Sequence, residues 1–215
     1  MKRRIVSLAS VALILLASPA FAHPHVWVTS RAEVQYAPDG RVTAVRHSWT
    51  FDRAYSAFIT QGLDVDKDGK LTSAELEPLA KENTQSLVEF EFFTVLKANG
   101  AKQAFDAPRD YGMTYVNEEA TLTYLLPLKT PALANRTLSL EVADPTYFVA
   151  FTMAEGSEAV RLAGAPKGCA ASISRPKPVD TAQQQQNLSE SFFQALSASS
   201  NFGGQFANRA IIACP

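Results

Sequence analysis

Residues 64–75 read Asp64-Val65-Asp66-Lys67-Asp68-Gly69-Lys70-Leu71-Thr72-Ser73-Ala74-Glu75, and no other stretch restricts the fold so sharply. Three aspartates at alternate positions repel one another unless a cation lies between them. Calcium takes six to eight oxygen ligands, and the EF-hand template supplies them from fixed places in a twelve-residue loop. Here Asp64, Asp66 and Asp68 stand at positions 1, 3 and 5. Lys70 at position 7 offers its backbone carbonyl, Thr72 stands at position 9, and Glu75 closes the loop at position 12. Gly69 at position 6 permits the sharp turn, and Leu71 at position 8 is the inward hydrophobe. The match predicts a Ca2+ site between two helices. The pattern occurs once, which points to a structural ion of the weak class, with a dissociation constant of about 10⁻⁴ to 10⁻³ M.

The amino terminus has the three parts of a secretory signal: Lys2, Arg3 and Arg4, an apolar run over residues 5–17, and Ala20-Phe21-Ala22 as the cleavage tripeptide. Residues 1–22 are therefore expected to be removed, leaving one domain over residues 23–215 in the periplasm. No later run is long enough to span a bilayer. Cleavage takes three of the 20 basic residues, so 17 face 21 acidic ones, a net charge of −4 that argues against nucleic acid as a partner. Export also carries the only two cysteines, Cys169 and Cys214, into an oxidising compartment, which predicts a disulfide between them.

Alternation over residues 25–36 and 41–51, with Ala37-Pro38-Asp39-Gly40 between, predicts an opening β-hairpin. Asp52 caps a helical stretch at 53–62, and residues 73–88 form a second helix that Pro78 kinks or restarts. Strand-like runs follow at 90–97, 113–115, 120–126, 137–142, 147–153 and 169–173, and residues 207–214 end the chain as another. Leu188, Phe192, Phe193 and Leu196 recur at helical spacing in residues 181–197. The fold class expected is α+β, mainly β: an antiparallel β-sandwich-like domain with a helical EF-hand-type insert at about 52–88 and a C-terminal helix.

All three histidines, His23, His25 and His47, fall in or just before the opening hairpin. Cleavage after Ala22 would place a free amine beside the His23 imidazole, a chelator for zinc, nickel, cobalt or copper to which His25 and His47 could add nitrogens. A two-residue turn at Pro38-Asp39 sets His47 opposite Ser30 and puts His25 and His47 on opposite faces; a bulge or odd loop reverses that parity. His47 also shares a face with Val45, Trp49 and Phe51, the setting of a core histidine. No hydrolase, zincin or paired-cysteine motif is present, so no catalytic residues are assigned.

His23-Pro24-His25-Val26-Trp27, His47-Ser48-Trp49-Thr50-Phe51-Asp52, the calcium loop, Asp144-Pro145-Thr146-Tyr147-Phe148, Gly168-Cys169 and Phe206-Ala207-Asn208-Arg209 through Cys214-Pro215 together resemble an uncharacterised bacterial periplasmic family of the DUF1007 type, described as the periplasmic component of an uncharacterised transport system. The resemblance runs over nearly the whole mature chain. It implies a role beside inner-membrane permeases for nickel, cobalt or zinc, and it assigns no site residues. The function expected is a metal-binding accessory protein of such a permease. The alternatives are a calcium-stiffened interaction module with no transition metal and a copper enzyme using the N-terminal histidine.

Overall fold

A computed structural model describes residues 24–175 and 206–214. The signal segment, His23 and the expected C-terminal helix lie outside the described residues. In chain order the elements are β1 (Val26–Tyr36), β2 (Arg41–Phe51), α1 (Arg53–Ile59), α2 (Ser73–Ser86), a 3-10 segment (Leu87–Phe93), β3 (Thr94–Ala98), β4 (Ala101–Lys102), β5 (Arg109–Val116) and β6 (Glu119–Leu133). There follow β7 (Thr137–Val142), β8 (Val149–Met153), a 3-10 turn (Gly156–Ala159), β9 (Val160–Ala163), β10 (Ala170–Ser174) and β11 (Asn208–Ala213).

The strands form two sheets. The first has the order β5-β6-β2-β1-β8, with β9 also pairing β1, and the second β10-β11-β7-β3-β4. Most neighbours are antiparallel, as a chain of short strands and turns predicts, but β8 and β9 run parallel to β1. They line its edge end to end, β8 against Val26 to Ser30 and β9 against Ala32 to Gln35. Alternate residues of β1 (Val26, Val28, Ser30, Ala32, Val34) are buried, as are Trp49 of β2 and Leu122 and Tyr124 of β6. Leu96, Leu138, Leu140 and Ile212 of the second sheet belong to the same core. This is a sandwich held by the inward half of each strand.

The hairpin turn is one residue longer than a two-residue loop. Ala37 N–H donates to Arg41 O at 2.8 Å and Gly40 N–H to Ala37 O at 2.9 Å, with Gly40 at φ +80°. A second irregularity between Gln35 and Tyr36 restores the parity, so His47 pairs with Ala32 rather than with Ser30. The two one-residue shifts add, so each partner moves by two residues and every side chain keeps its face.

Several boundaries move for identifiable reasons. The first helix stops at Ile59 because the Thr60 hydroxyl donates to Ser56 O at 2.7 Å and Gly62 turns the chain at φ +80°. The second runs through Pro78, since Leu76, Ala80 and Thr84, spaced by four, are all buried on one side and hold the helix over the missing donor. Residues 90–93 are not strand. Glu91, Phe92 and Phe93 have φ between 46° and 58°, a left-handed turn that sends Phe92 into the core while Phe90 remains exposed. Each such residue costs about 1–2 kcal/mol, offset here by aromatic burial. The sixth strand continues past Pro127 and Pro131 because the pairing slips between Val42 and Ala44, and prolines are tolerated at such irregularities.

Cys169 and Cys214 are bonded, 45 residues apart in sequence. Their neighbours Ala170 and Ala213 pair across β10 and β11, so the bridge extends that ladder by one step.

Candidate metal centre

The insert is fastened to the sheet through α1 before the loop begins. Asp52 Oδ1 accepts Tyr55 N–H at 3.0 Å, capping α1, while its Oδ2 accepts Trp27 N–H at 3.0 Å, so one carboxylate ties the helix to the first strand. Ser56, fully buried, donates to Phe51 O and accepts Ala120 N–H at 2.9 Å, seating α1 between β2 and β6. At the far end Thr72 caps α2, and Glu75 answers with a reciprocal bond, forming a capping box.

Between these anchors the ligand oxygens of Asp64, Asp66 and Asp68 all lie within 4.8 Å of one another. Backbone donors orient them. Asp64 accepts from Asp68 N at 3.2 Å and Gly69 N at 3.0 Å, Asp66 Oδ1 from Asp68 N at 3.1 Å, and Asp68 Oδ1 from Lys70 N at 2.7 Å. Gly69 has φ +79°, the left-handed turn its place in the loop requires. Glu75 is not in the aspartate cluster, but it folds back over the loop: Oε1 accepts Val65 N at 2.9 Å and Oε2 accepts Thr72 N at 2.9 Å. The Thr72 backbone bond, its hydroxyl and the Val65 N–H hold the Glu75 carboxyl below its ordinary pKa, which keeps it anionic. Three converging carboxylates with a fourth beside them suit a hard divalent cation better than a transition metal.

The histidines do not gather. His25 is exposed just before β1, its ring 4.6 Å from that of Phe148, and its backbone N–H donates to Phe148 O at 2.9 Å. His47 lies on the opposite face of the same sheet, fully buried, stacked on Tyr124 at 5.1 Å and edge-on to Trp49 at 5.4 Å. Burial lowers its pKa to about 3, so the ring is neutral at any physiological pH. Thr94 Oγ1 gives its proton to Phe92 O at 2.7 Å, so the 3.3 Å contact with His47 Nε2 needs the proton on that nitrogen, and Nδ1 is then an acceptor that meets no donor among the described residues. The sheet turns His47 inward as a core residue, away from His25. His23 lies outside the described residues.

The family described as "Protein of unknown function (DUF1007)" matches residues 8–214, nearly the entire chain. The chain belongs to the DUF1007 family. An uncharacterised protein of Haemophilus influenzae is 27% identical over 199 residues, covering 90% of this chain and 91% of that protein. Within this DUF1007 chain the structure adds a buried residue that motif logic does not flag. Asn208 of β11, fully buried, accepts Met153 N–H at 2.9 Å and donates to Phe151 O, bonding the second sheet to β8 of the first. Its only sequence signal is a polar residue at an inward position of an alternating strand. Among the described residues no helix is long and apolar enough to cross a membrane.

Proposed function

We propose that this DUF1007 protein is a periplasmic metal-binding accessory protein that serves an inner-membrane permease of the nickel, cobalt or zinc type and carries a structural Ca2+ in the 64–75 loop. The observation that carries the calcium reading is the convergence of the Asp64, Asp66 and Asp68 oxygens within 4.8 Å on a loop whose glycine and glutamate occupy the template positions. The ion removes the mutual repulsion of the aspartates and fixes α2 relative to α1. With His47 in the core, a transition metal would be held by the His23 amine and imidazole with His25. The permease role rests on the resemblance described above.

Calcium uptake is tested by isothermal titration of mature protein stripped with chelator. The expected result is one site per chain, lost in Asp64→Ala; absence of uptake at millimolar calcium sinks the proposal. The histidine chelate is tested by titrating the same protein with zinc, nickel, cobalt and copper. Equal affinity in His25→Ala and in protein lacking His23 removes the transition-metal part and leaves a calcium-stiffened interaction module.

A further inference from the structure

The outer face of the first sheet carries an ordered array that takes no part in the calcium loop. Thr29 pairs with Thr50 and with Thr152, and Thr121 pairs with Thr50 and with Thr114. One threonine from each of five neighbouring strands therefore stands in a single rank across the sheet. Opposed residues share a face, and their chain neighbours Val28, Trp49 and Leu122 are buried on the other side, so the rank points outward. Strand spacing repeats the side chains every ~4.8 Å. The hydroxyls of Thr50 and Thr121 are 2.9 Å apart, and Arg31, Ser48 and Thr123 form the adjacent rank.

Four of the five threonines lie in a groove of about 650 Å³, a size that accommodates a ligand of several rings. Trp27 stands in it with 54% of its surface exposed. The backbone N–H and C=O of Trp27 are both bonded to Asp52, which fixes the indole's attachment. Threonine favours strands, and a solvated face collects it for that reason alone. That bland account leaves unexplained the exposed indole, and also Arg31 and Glu119, which form no ion pair among the described residues.

The lining holds one guanidinium and two carboxylates, Asp52 and Glu119; the rest is uncharged. A polyanion or an acidic membrane surface finds no match in that charge pattern, and an acyl chain finds little apolar wall besides Trp27 and Val116. The complementary ligand is nearly neutral, offers hydroxyls that both donate and accept in a repeated array, and has one apolar ring face. We infer that the groove over the Thr29–Thr50–Thr121 rank binds a short neutral oligosaccharide. Trp27 stacks on the C–H face of a pyranose ring. Arg31 and Glu119 bond hydroxyl groups with their planar forks. The threonine rank exchanges donors and acceptors with the remaining sugar hydroxyls.

The test uses the mature chain titrated separately with cellotetraose, maltotetraose and tetra-N-acetylchitotetraose. Trp49 is buried and Trp27 exposed, so a change in tryptophan emission reports the groove. The expected result is a saturable emission change with at least one sugar, with amide shifts confined to residues 27–31, 48–52 and 119–123. The paired substitution Thr50→Val with Thr121→Val, and separately Arg31→Ala, should each weaken the apparent Kd about tenfold while the urea midpoint stays that of the parent protein. No saturable response to any of the three sugars, equal affinity in the double variant, or equal affinity for an unrelated neutral tetrapeptide overturns the inference.

Discussion

His47 shows how one side chain can change role when its surroundings are known. Its folded pKa of about 3 lies below the ordinary 6.5 because burial disfavours the imidazolium. Below pH 6.5 the unfolded chain takes up a proton that the native state refuses, so stability falls as pH drops from 6.5 toward 3. The slope is about 1.4 kcal/mol per pH unit once the unfolded histidine is protonated. Carboxylates such as Glu75, whose folded pKa is lowered, add their own loss only under more acid conditions. Urea midpoints measured between pH 7 and pH 4.5 should therefore decline in the parent protein and decline less in His47→Gln; parallel profiles would contradict a neutral core histidine. Asn208 is the second residue whose importance comes from its partners. Its amide satisfies one backbone donor and one acceptor of β8. Asn208→Ala leaves both unpaired in the core and should cost about 2–4 kcal/mol, read from chemical denaturation.

At the scale of elements, the two termini of the β10–β11 ladder are joined covalently. The Cys169–Cys214 bond closes a loop of 45 residues, which constrains the unfolded chain. In the chain-entropy account that loop contributes about 4 kcal/mol. Replacing both cysteines by serine should lower the stability by about that amount, measured as the shift in urea midpoint multiplied by the denaturant slope. A loss below about 1 kcal/mol would mean that the ladder and Asn208 hold β11 in place without the bridge. The insert shows a different balance. Its capping box, Thr72 with Glu75, is a local device readable in sequence, whereas the continuity of α2 through Pro78 depends on the buried side of Leu76, Ala80 and Thr84. Propensity alone would break this helix, and packing keeps it whole.

For the whole molecule, the proposed calcium site would be linked to the fold through the points where the insert is anchored. Asp52 and Ser56 tie α1, which leads into the loop, to β1, β2 and β6. A ligand that binds only the native state stabilises it by about 2.7 kcal/mol at one hundred times its dissociation constant. Added calcium should accordingly raise the thermal midpoint of the parent protein, chelator should reverse the rise, and Asp64→Ala should show neither effect. An unchanged midpoint at saturating calcium would confine any binding to a loop energetically separate from the sandwich.

Features of the chain that rest on neighbouring residues were legible without coordinates: the alternation of β1 and β2, the Asp52 cap, the span of β7 and the sharp turn at Gly69 all follow from side-chain period, capping or turn chemistry. The pairing of the two cysteines, present as Cys169–Cys214, was expected from their number and from the export that the first 22 residues predict. What came only from tertiary structure was decided by distant partners. The two-residue β4 and four-residue β9 carry too little pattern to announce themselves, and exist because β3 and β1 offer them edges. The left-handed turn at Glu91 to Phe93 violates local preference and persists because Phe92 reaches the core. The partner that His47 faces, Ala32, was set only by two successive irregularities in the hairpin, which moved the register by two residues. Sequence specifies what each segment can do with its immediate neighbours; the competition for buried space among segments far apart decides which of those options is taken.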